Sequence, residues 1–285
     1  MNLILISLLT LVLIGAASAI ILFFVSKKFQ VFEDTRIDEV EAILPAANCG
    51  GCGFPGCRGF ANACVSADKL DGLLCPVGGN VTMQKVANIL GKTVKESAPT
   101  VAVVRCGGTC ENRPRLNDYD GVKHCFIAHN LYSGESGCSM GCLGLGDCEI
   151  ACEFDAIHVN QTTKLPEVDE NKCTSCGLCV KACPKLLIEL RKKGPKSRRI
   201  YVSCRNEDRG HITKKSCTVG CTACTNCLKA CPHEAITITN NLAYIHDNKC
   251  KLCRKCVEVC ATKTIVEINF PTKKAETEPL TIKGI

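Results

Sequence analysis

The stretch Cys173–Pro184 reads C-T-S-C-G-L-C-V-K-A-C-P. Four cysteines follow the pattern C-x2-C-x2-C-x3-C, closed by proline. This is the spacing at which thiolates ligate an iron–sulfur cluster. Three thiols two residues apart let a tight loop wrap one face of a cubane cluster. The fourth is expected at the start of a helix that carries it away, to ligate the second cluster of a pair. One such run predicts a partner run.

The elements around these loops show that the run is one of a series. Cys106 is followed by a loop from Cys138 to Cys152, then by Cys173, Cys176, Cys179 and Cys183. Cys204 is followed by a loop from Cys217 to Cys231, then by Cys250, Cys253, Cys256 and Cys260. Cys142 and Cys221 are 79 positions apart, as are Cys152 and Cys231. The chain therefore contains an internal duplication. Each half is expected to fold as cysteine loop, short helix, hairpin, cysteine loop and helix. Strands at 235–239 and 242–245 would flank an Asn240-Asn241 turn.

Composition sets the bounds. Of 285 residues, 26 are cysteine. Disulfide frameworks belong to short secreted chains and do not repeat this spacing, so the thiols are read as reduced, in a reducing compartment. There is no tryptophan, and aromatic residues make up 5%. Bound clusters would supply folding free energy that small cores cannot. The net charge is +7, without a basic run long enough to indicate nucleic acid binding. Six histidines are scattered without ligand spacing. No dinucleotide fingerprint, P-loop or nucleophile elbow is present, so no complete active site is expected on this chain.

Leu3–Val25 is an apolar stretch of 23 residues followed by Lys27 and Lys28. It is long enough to span a bilayer, and the positive-inside rule puts the bulk of the chain in the cytoplasm. A cleaved signal peptide is the rival, since Ala17-Ser18-Ala19 resembles a cleavage site. The n-region lacks lysine and arginine, and the apolar run continues to Val25, which favours an uncleaved anchor. Thr35–Leu44 reads as a short helix with a Thr35/Asp38 capping box, stopped by Pro45.

Cys49, Cys52, Cys57 and Cys75 form the next group, expected to hold a 4Fe–4S cluster. Zinc is the alternative, but a second C-x2-4-C knuckle is missing. Cys64 reads as a buried structural thiol. A helix over Asn80–Leu90, closed by Gly91, ends this unit, and Lys92–Thr100 reads as a linker.

The cross-over rule assigns Cys221, Cys224 and Cys227 with Cys260, and Cys250, Cys253 and Cys256 with Cys231. In the first half, Cys173, Cys176 and Cys179 go with Cys152. The remaining loop has Leu145 where the second half has Cys224, so Cys142 and Cys148 need another local ligand. Cys138 is the expected one, with Cys183 as the fourth. Cys64, Cys106, Cys110, Cys125, Cys204 and Cys217 remain. Cys106 and Cys204 occupy matching places. They either help hold a further cluster or are buried thiols inherited by duplication, so the count is at least five clusters, with a sixth open. The run Arg191–Arg199 reads as a solvated basic linker, with a docking patch for an acidic electron carrier as the alternative. Linkers of this kind would also serve as hinges that let a module swing.

The apolar anchor, C-G-G-C-G-F-P-G-C with its distant Cys75-Pro76, and ferredoxin loops including G-C-L-G-L-G-D-C together resemble the B subunit of the Rnf electron-transport complex, in a long form with duplicated ferredoxin modules. The resemblance runs from the anchor through Cys260. It implies an α+β chain: anchor at 1–28, N-terminal 4Fe–4S domain at 29–95, two-cluster ferredoxin modules at 100–193 and 194–270, and a tail at 271–285. It further implies an electron-transfer subunit in the cytoplasmic membrane, fed by soluble ferredoxin. Electrons would pass to other subunits of an ion-translocating ferredoxin:NAD oxidoreductase. A cluster-carrying subunit of another anaerobic membrane oxidoreductase, or a zinc-binding scaffold, are the competing classes.

Overall fold

The computed structural model describes residues 2–28, 34–132 and 134–271. The expected tail from 272 onward lies outside them. The apolar N-terminal stretch is one helix, α1 (Asn2–Lys28). At about 1.5 Å per residue it measures about 40 Å, more than the hydrocarbon core of a bilayer. Its large apolar side chains from Leu5 to Val25 are 46% to 74% exposed. Leu5–Lys28 is long and apolar enough to cross a membrane.

Three helices follow: α2 (Arg36–Ile43), α3 (Gly56–Ser66) and α4 (Gly79–Leu90). They pack on Val40, Phe60, Ala61, Leu70, Met83 and Val86. The Thr35/Asp38 capping box does not form. Thr35 itself has helical angles (φ −57°, ψ −25°) and makes no side-chain cap. The cap therefore moves back to Asp34, whose carboxylate accepts from the Arg36 N–H at 2.9 Å. Gly91 closes α4 at φ +61°. Lys92 donates three hydrogen bonds of 2.6 to 2.9 Å to the carbonyls of Cys64, Val65 and Ala67. It thereby satisfies the open C-terminal end of α3. Asn80 and Ser97 exchange two further bonds. The segment after Gly91 is held against the helices rather than hanging as a free linker.

The duplication is visible as two modules that share strands and cysteine loops but differ in the segment after the first strand. The first runs β1 (Thr100–Val104), α5 (Cys125–Leu131), α6 (Asp147–Ile150), β2 (Ile157–Val159), β3 (Pro166–Val168), α7 (Leu178–Ala182) and β4 (Ile188–Lys192). The second runs β5 (Arg199–Val202), α8 (Gly210–Ser216), α9 (Asn226–Ala230), β6 (Ile236–Thr239), β7 (Leu242–Ile245), α10 (Lys255–Glu258) and β8 (Ile265–Ile268). In each, an outer antiparallel pair (β1–β4, β5–β8) and an inner hairpin (β2–β3, β6–β7) frame the cysteine loops. Asn240 and Asn241 turn the β6–β7 hairpin with φ of +48° and +57°, the left-handed pair of a two-residue type I′ turn. Helix placement differs from expectation in one respect. The fourth cysteine of a run ends a short helix instead of starting one: α7 leads into Cys183 and α9 into Cys231.

The two modules share a core. Val101 and Val103 of β1 pack with Tyr201 of β5, and with Val266 and Ile268 of β8. The run Arg191–Arg199 is anchored in this joint at both ends, while Lys192, Pro195 and Lys196 between them are exposed as a solvated linker would be. Arg191 is 3% exposed. It donates to the carbonyls of Ile200 and Ile245 and to Glu189. Arg199 pairs with Glu170 at 2.6 Å. Lys193 donates its N–H to the Pro99 carbonyl and its ammonium to that of Glu170. A hinge at this position would break these bonds.

Candidate metal centres

Five partly open cavities each carry four cysteines on their walls. One is lined by Cys49, Cys52, Cys57 and Cys75. A second is lined by Cys152, Cys173, Cys176 and Cys179, a third by Cys231, Cys250, Cys253 and Cys256. Cys221, Cys224, Cys227 and Cys260 form a further group. Burial, then the charges of the other three, pushes the Cys227 thiol up to about 11.

The two remaining cavities differ from the sequence-based assignment. Cys142, Cys148 and Cys183 share theirs with Cys125. Cys138 instead lines a cavity with Cys106, Cys204 and Cys217. The reason is chain length. Cys106 to Cys142 spans 36 positions, whereas Cys204 to Cys221 spans 17. The added segment carries α5, and Asp147 accepts from the Cys125 and Phe126 N–H groups at its N-terminus. Cys125 is thereby brought to the cavity that Leu145 leaves one thiol short. Cys138 and Cys217 each stand four residues before their loops, 79 positions apart like the other matched pairs. The pairs Cys106/Cys204 and Cys138/Cys217 therefore meet between the modules. This 79-residue match was the signal for Cys138; Cys125 has no counterpart to reveal it. Cys64, buried on α3, and Cys110, exposed, lie outside all six sets.

The loops share one backbone form. Counting from the first cysteine, the second and fourth following residues have positive φ in all four ferredoxin-like loops: Gly144 and Gly146, Ser175 and Gly177, Ala223 and Thr225, Leu252 and Arg254. Left-handed non-glycine residues are costly and persist where the surroundings over-determine them. The loop with Leu145 keeps the form, with glycine at both positions. The residue three after each fourth cysteine is also left-handed: Asp155, Leu186, Glu234 and Lys263. After two of them the next N–H donates to the sulfur: Ala156 to Cys152 and Leu187 to Cys183, both at 3.4 Å. Gly78 does the same for Cys75.

Burial pushes the thiols of Cys148, Cys179, Cys204 and Cys256 up to about 12, and that of Cys142 further. Neighbouring cysteines add to each shift. Such thiols give up their protons when a metal takes their place. The donor set fits iron–sulfur clusters: four sulfurs around an apolar cavity, with peptide N–H groups directed at sulfur. Among the described residues, no three His, Cys, Asp or Glu side chains converge as a single ion would need.

Comparison with known proteins agrees with this chemistry. A family model for a 4Fe-4S dicluster domain matches residues 136–187, 172–235 and 220–264. A model described as "Putative Fe-S cluster" matches residues 44–76. The B subunit of the Na(+)-translocating ferredoxin:NAD(+) oxidoreductase complex of Acetobacterium woodii is 46% identical, over 84% of this chain and 71% of its own. The B subunit of an ion-translocating oxidoreductase complex from Methanosarcina acetivorans is 40% identical, over 88% of this chain and 94% of its own. The proton-translocating counterpart from Clostridium ljungdahlii is 37% identical, over 94% of each.

Proposed function

This chain belongs to the B-subunit family of ion-translocating oxidoreductase complexes, and on that premise we propose that it is the electron-transfer subunit of a ferredoxin:NAD(+) oxidoreductase, with six 4Fe–4S clusters on 24 of its 26 cysteines. The observation that carries this reading is the grouping of those cysteines into six sets of four. The sets are Cys49/52/57/75, Cys152/173/176/179, Cys125/142/148/183, Cys106/138/204/217, Cys221/224/227/260 and Cys231/250/253/256. A 4Fe–4S cluster, when bound, takes up and releases one electron at a potential set by its surroundings.

The residues arrange these sets in a row. A Cβ on Gly51 would lie 2.6 Å from the Cys176 carbonyl oxygen, so the N-terminal set abuts the Cys152 set. Helices α6 and α7 tie the Cys152 set to the Cys125 set, through Cys148/Cys152 and Cys179/Cys183. Leu187 lies against both the Cys125 and Cys106 cavities. Cys204 is close enough to Cys221 for its charge to be felt, and Cys256 to Cys227. The set at Cys106, Cys138, Cys204 and Cys217 is thus the bridge between modules, a role that supports its having a cluster.

The two ends differ. Residues 194–270 contain 13 Lys and Arg against 6 Asp and Glu. Cys224 and Cys253 are exposed, with Lys229, Lys251 and Lys255 exposed around them. An acidic carrier such as reduced ferredoxin would be drawn to this end. At the other end, Lys27 and Lys28 in the last turn of α1 favour the cytoplasmic side for the cysteine-bearing part.

Stoichiometric reduction of the anaerobic, iron-loaded chain by reduced ferredoxin tests this reading. Bleaching of its visible absorbance by about six electrons per chain is expected, one for each cluster. A chain that reduced ferredoxin leaves oxidised would overturn it.

A further inference from the structure

We propose that the bridging set is built to hold its electron more firmly than the Cys49, Cys152, Cys125 and Cys231 sets, with Arg113, Arg205 and Asn206 as the tuning residues. The inference rests on the reading of Cys106, Cys138, Cys204 and Cys217 as a cluster site.

Charge is the first reason. Arg105, Arg113 and Arg205 all line this cavity, and no Asp or Glu does. The cavities of the Cys49 and Cys152 sets have no Lys or Arg on their walls. That of the Cys125 set has Lys185 with Asp147. That of the Cys231 set has Lys251 and Arg254, but Lys251 is exposed and Arg254 is paired with Glu267. The Nε atoms of Arg113 and Arg205 are buried without a hydrogen-bond partner. A Cβ on Gly141 would collide with Arg113 Nη1. Glycine there lets the guanidinium lie over the turn between Cys138 and Cys142. Arg105, 3% exposed, is held by Glu189 at 3.4 Å and by the Cys204 carbonyl at 3.2 Å.

Hydrogen bonding is the second reason. Asn206 is 1% exposed. Its Nδ2 donates to Cys138 Sγ and its backbone N–H to Cys204 Sγ, both at 3.4 Å. One residue thus donates to a sulfur from each module. Reduction adds negative charge, so cations and N–H donors at the sulfurs favour the reduced form and raise the potential. A cluster held by these four cysteines would have its reduced form stabilised by Arg113, Arg205 and Asn206.

The test is an anaerobic redox titration of the full chain followed by electron paramagnetic resonance, with iron content measured alongside. One signal is expected to be reduced ahead of at least four others and to vanish in Cys217→Ala. In the Arg113→Gln/Arg205→Gln variant, iron content should hold. The reduced-to-oxidised ratio of that signal at fixed poise should fall at least about tenfold, a shift of about 59 mV for one electron. Asn206→Asp, which keeps size and adds negative charge, should move it the same way, and Arg113→Lys/Arg205→Lys should recover part of the shift. The proposal fails if no signal reduced ahead of four others is lost in Cys217→Ala in a chain short of iron, or if the charge variants leave that signal unmoved. Full iron retention in Cys217→Ala would instead overturn the underlying reading of the cavity as a cluster site.

Discussion

Replacing Arg191 by alanine should loosen the joint between the modules and leave carrier docking unchanged. Arg191 Nη1 and Nη2 donate to the carbonyls of Ile200 and Ile245 at 3.3 and 2.6 Å, and Nε to Glu189 at 2.6 Å. Its guanidinium also lies 5.0 Å from the centre of the Tyr244 ring. Hydrogen bonds from a charged donor contribute about 1.5–3 kcal/mol each, and they do not add when they share one side chain. Breaking a buried ion pair costs about 3–5 kcal/mol, because the partner charge is left buried. Glu189 keeps Arg105 at 3.4 Å, so the lower part of that range applies, about 3 kcal/mol. Arg191→Lys should recover only part, since three N–H groups on one nitrogen cannot reach acceptors that Arg191 meets from three separate nitrogens. The assay is anaerobic guanidinium unfolding, followed by the rate at which visible absorbance is lost. A rate is the right readout because a multi-module, metal-loaded chain departs from two-state equilibrium. The alanine variant should lose colour on the order of 10²-fold faster. An alanine variant as durable as the parent, with slower and less salt-dependent reduction by ferredoxin, would return Arg191 to the docking surface and refute the argument.

Other outcomes follow from the same geometry. Cys125→Ala should lose about four irons, because it completes the set of Cys142, Cys148 and Cys183. Cys64→Ala should keep all its iron, since that thiol packs inside the helical domain; iron analysis checks both variants. Exchanging Lys229, Lys251 and Lys255 for glutamate should slow reduction by ferredoxin at low salt and matter little at high salt, read by stopped-flow absorbance. A hydrogen bond and the charge of Arg199, with a hydrogen bond from Asn269, hold the Glu170 carboxyl below its usual range. A depressed folded-state value means the bond's stabilisation is present above the unfolded value, near 4.5, and is lost as pH falls through the folded one. Glu170→Gln should therefore cost about 2 kcal/mol at neutral pH. It should also flatten the acid limb of unfolding measured against pH.

Four of the six proposed cysteine sets are the ones that spacing alone gives, because cluster ligation fixes the distance between thiols along the chain. The bridging set could be read in part. Cys106 matches Cys204 by its place after the first strand of each module, and Cys138 matches Cys217 by the 79-residue step, but Leu145 made Cys138 look like a substitute ligand. Cys125 could not be read, because it lies in a segment without a counterpart in the second half. Its place depends on Asp147 holding the start of α5. The basic run at Arg191–Arg199 misled for a related reason. Burial of an arginine depends on carbonyls and carboxylates contributed by distant segments, here Ile245 and Glu170, which local pattern does not show. The module plan was legible because duplication repeats the strands along with the cysteines.

The central claim is that 24 cysteines hold six clusters in a row, and anaerobic iron and acid-labile sulfide content of the full chain tests it most directly. About 24 irons and as many sulfides per chain are predicted. About 20 would remove the bridge between the modules, and zinc in place of iron would contradict the electron-transfer role itself.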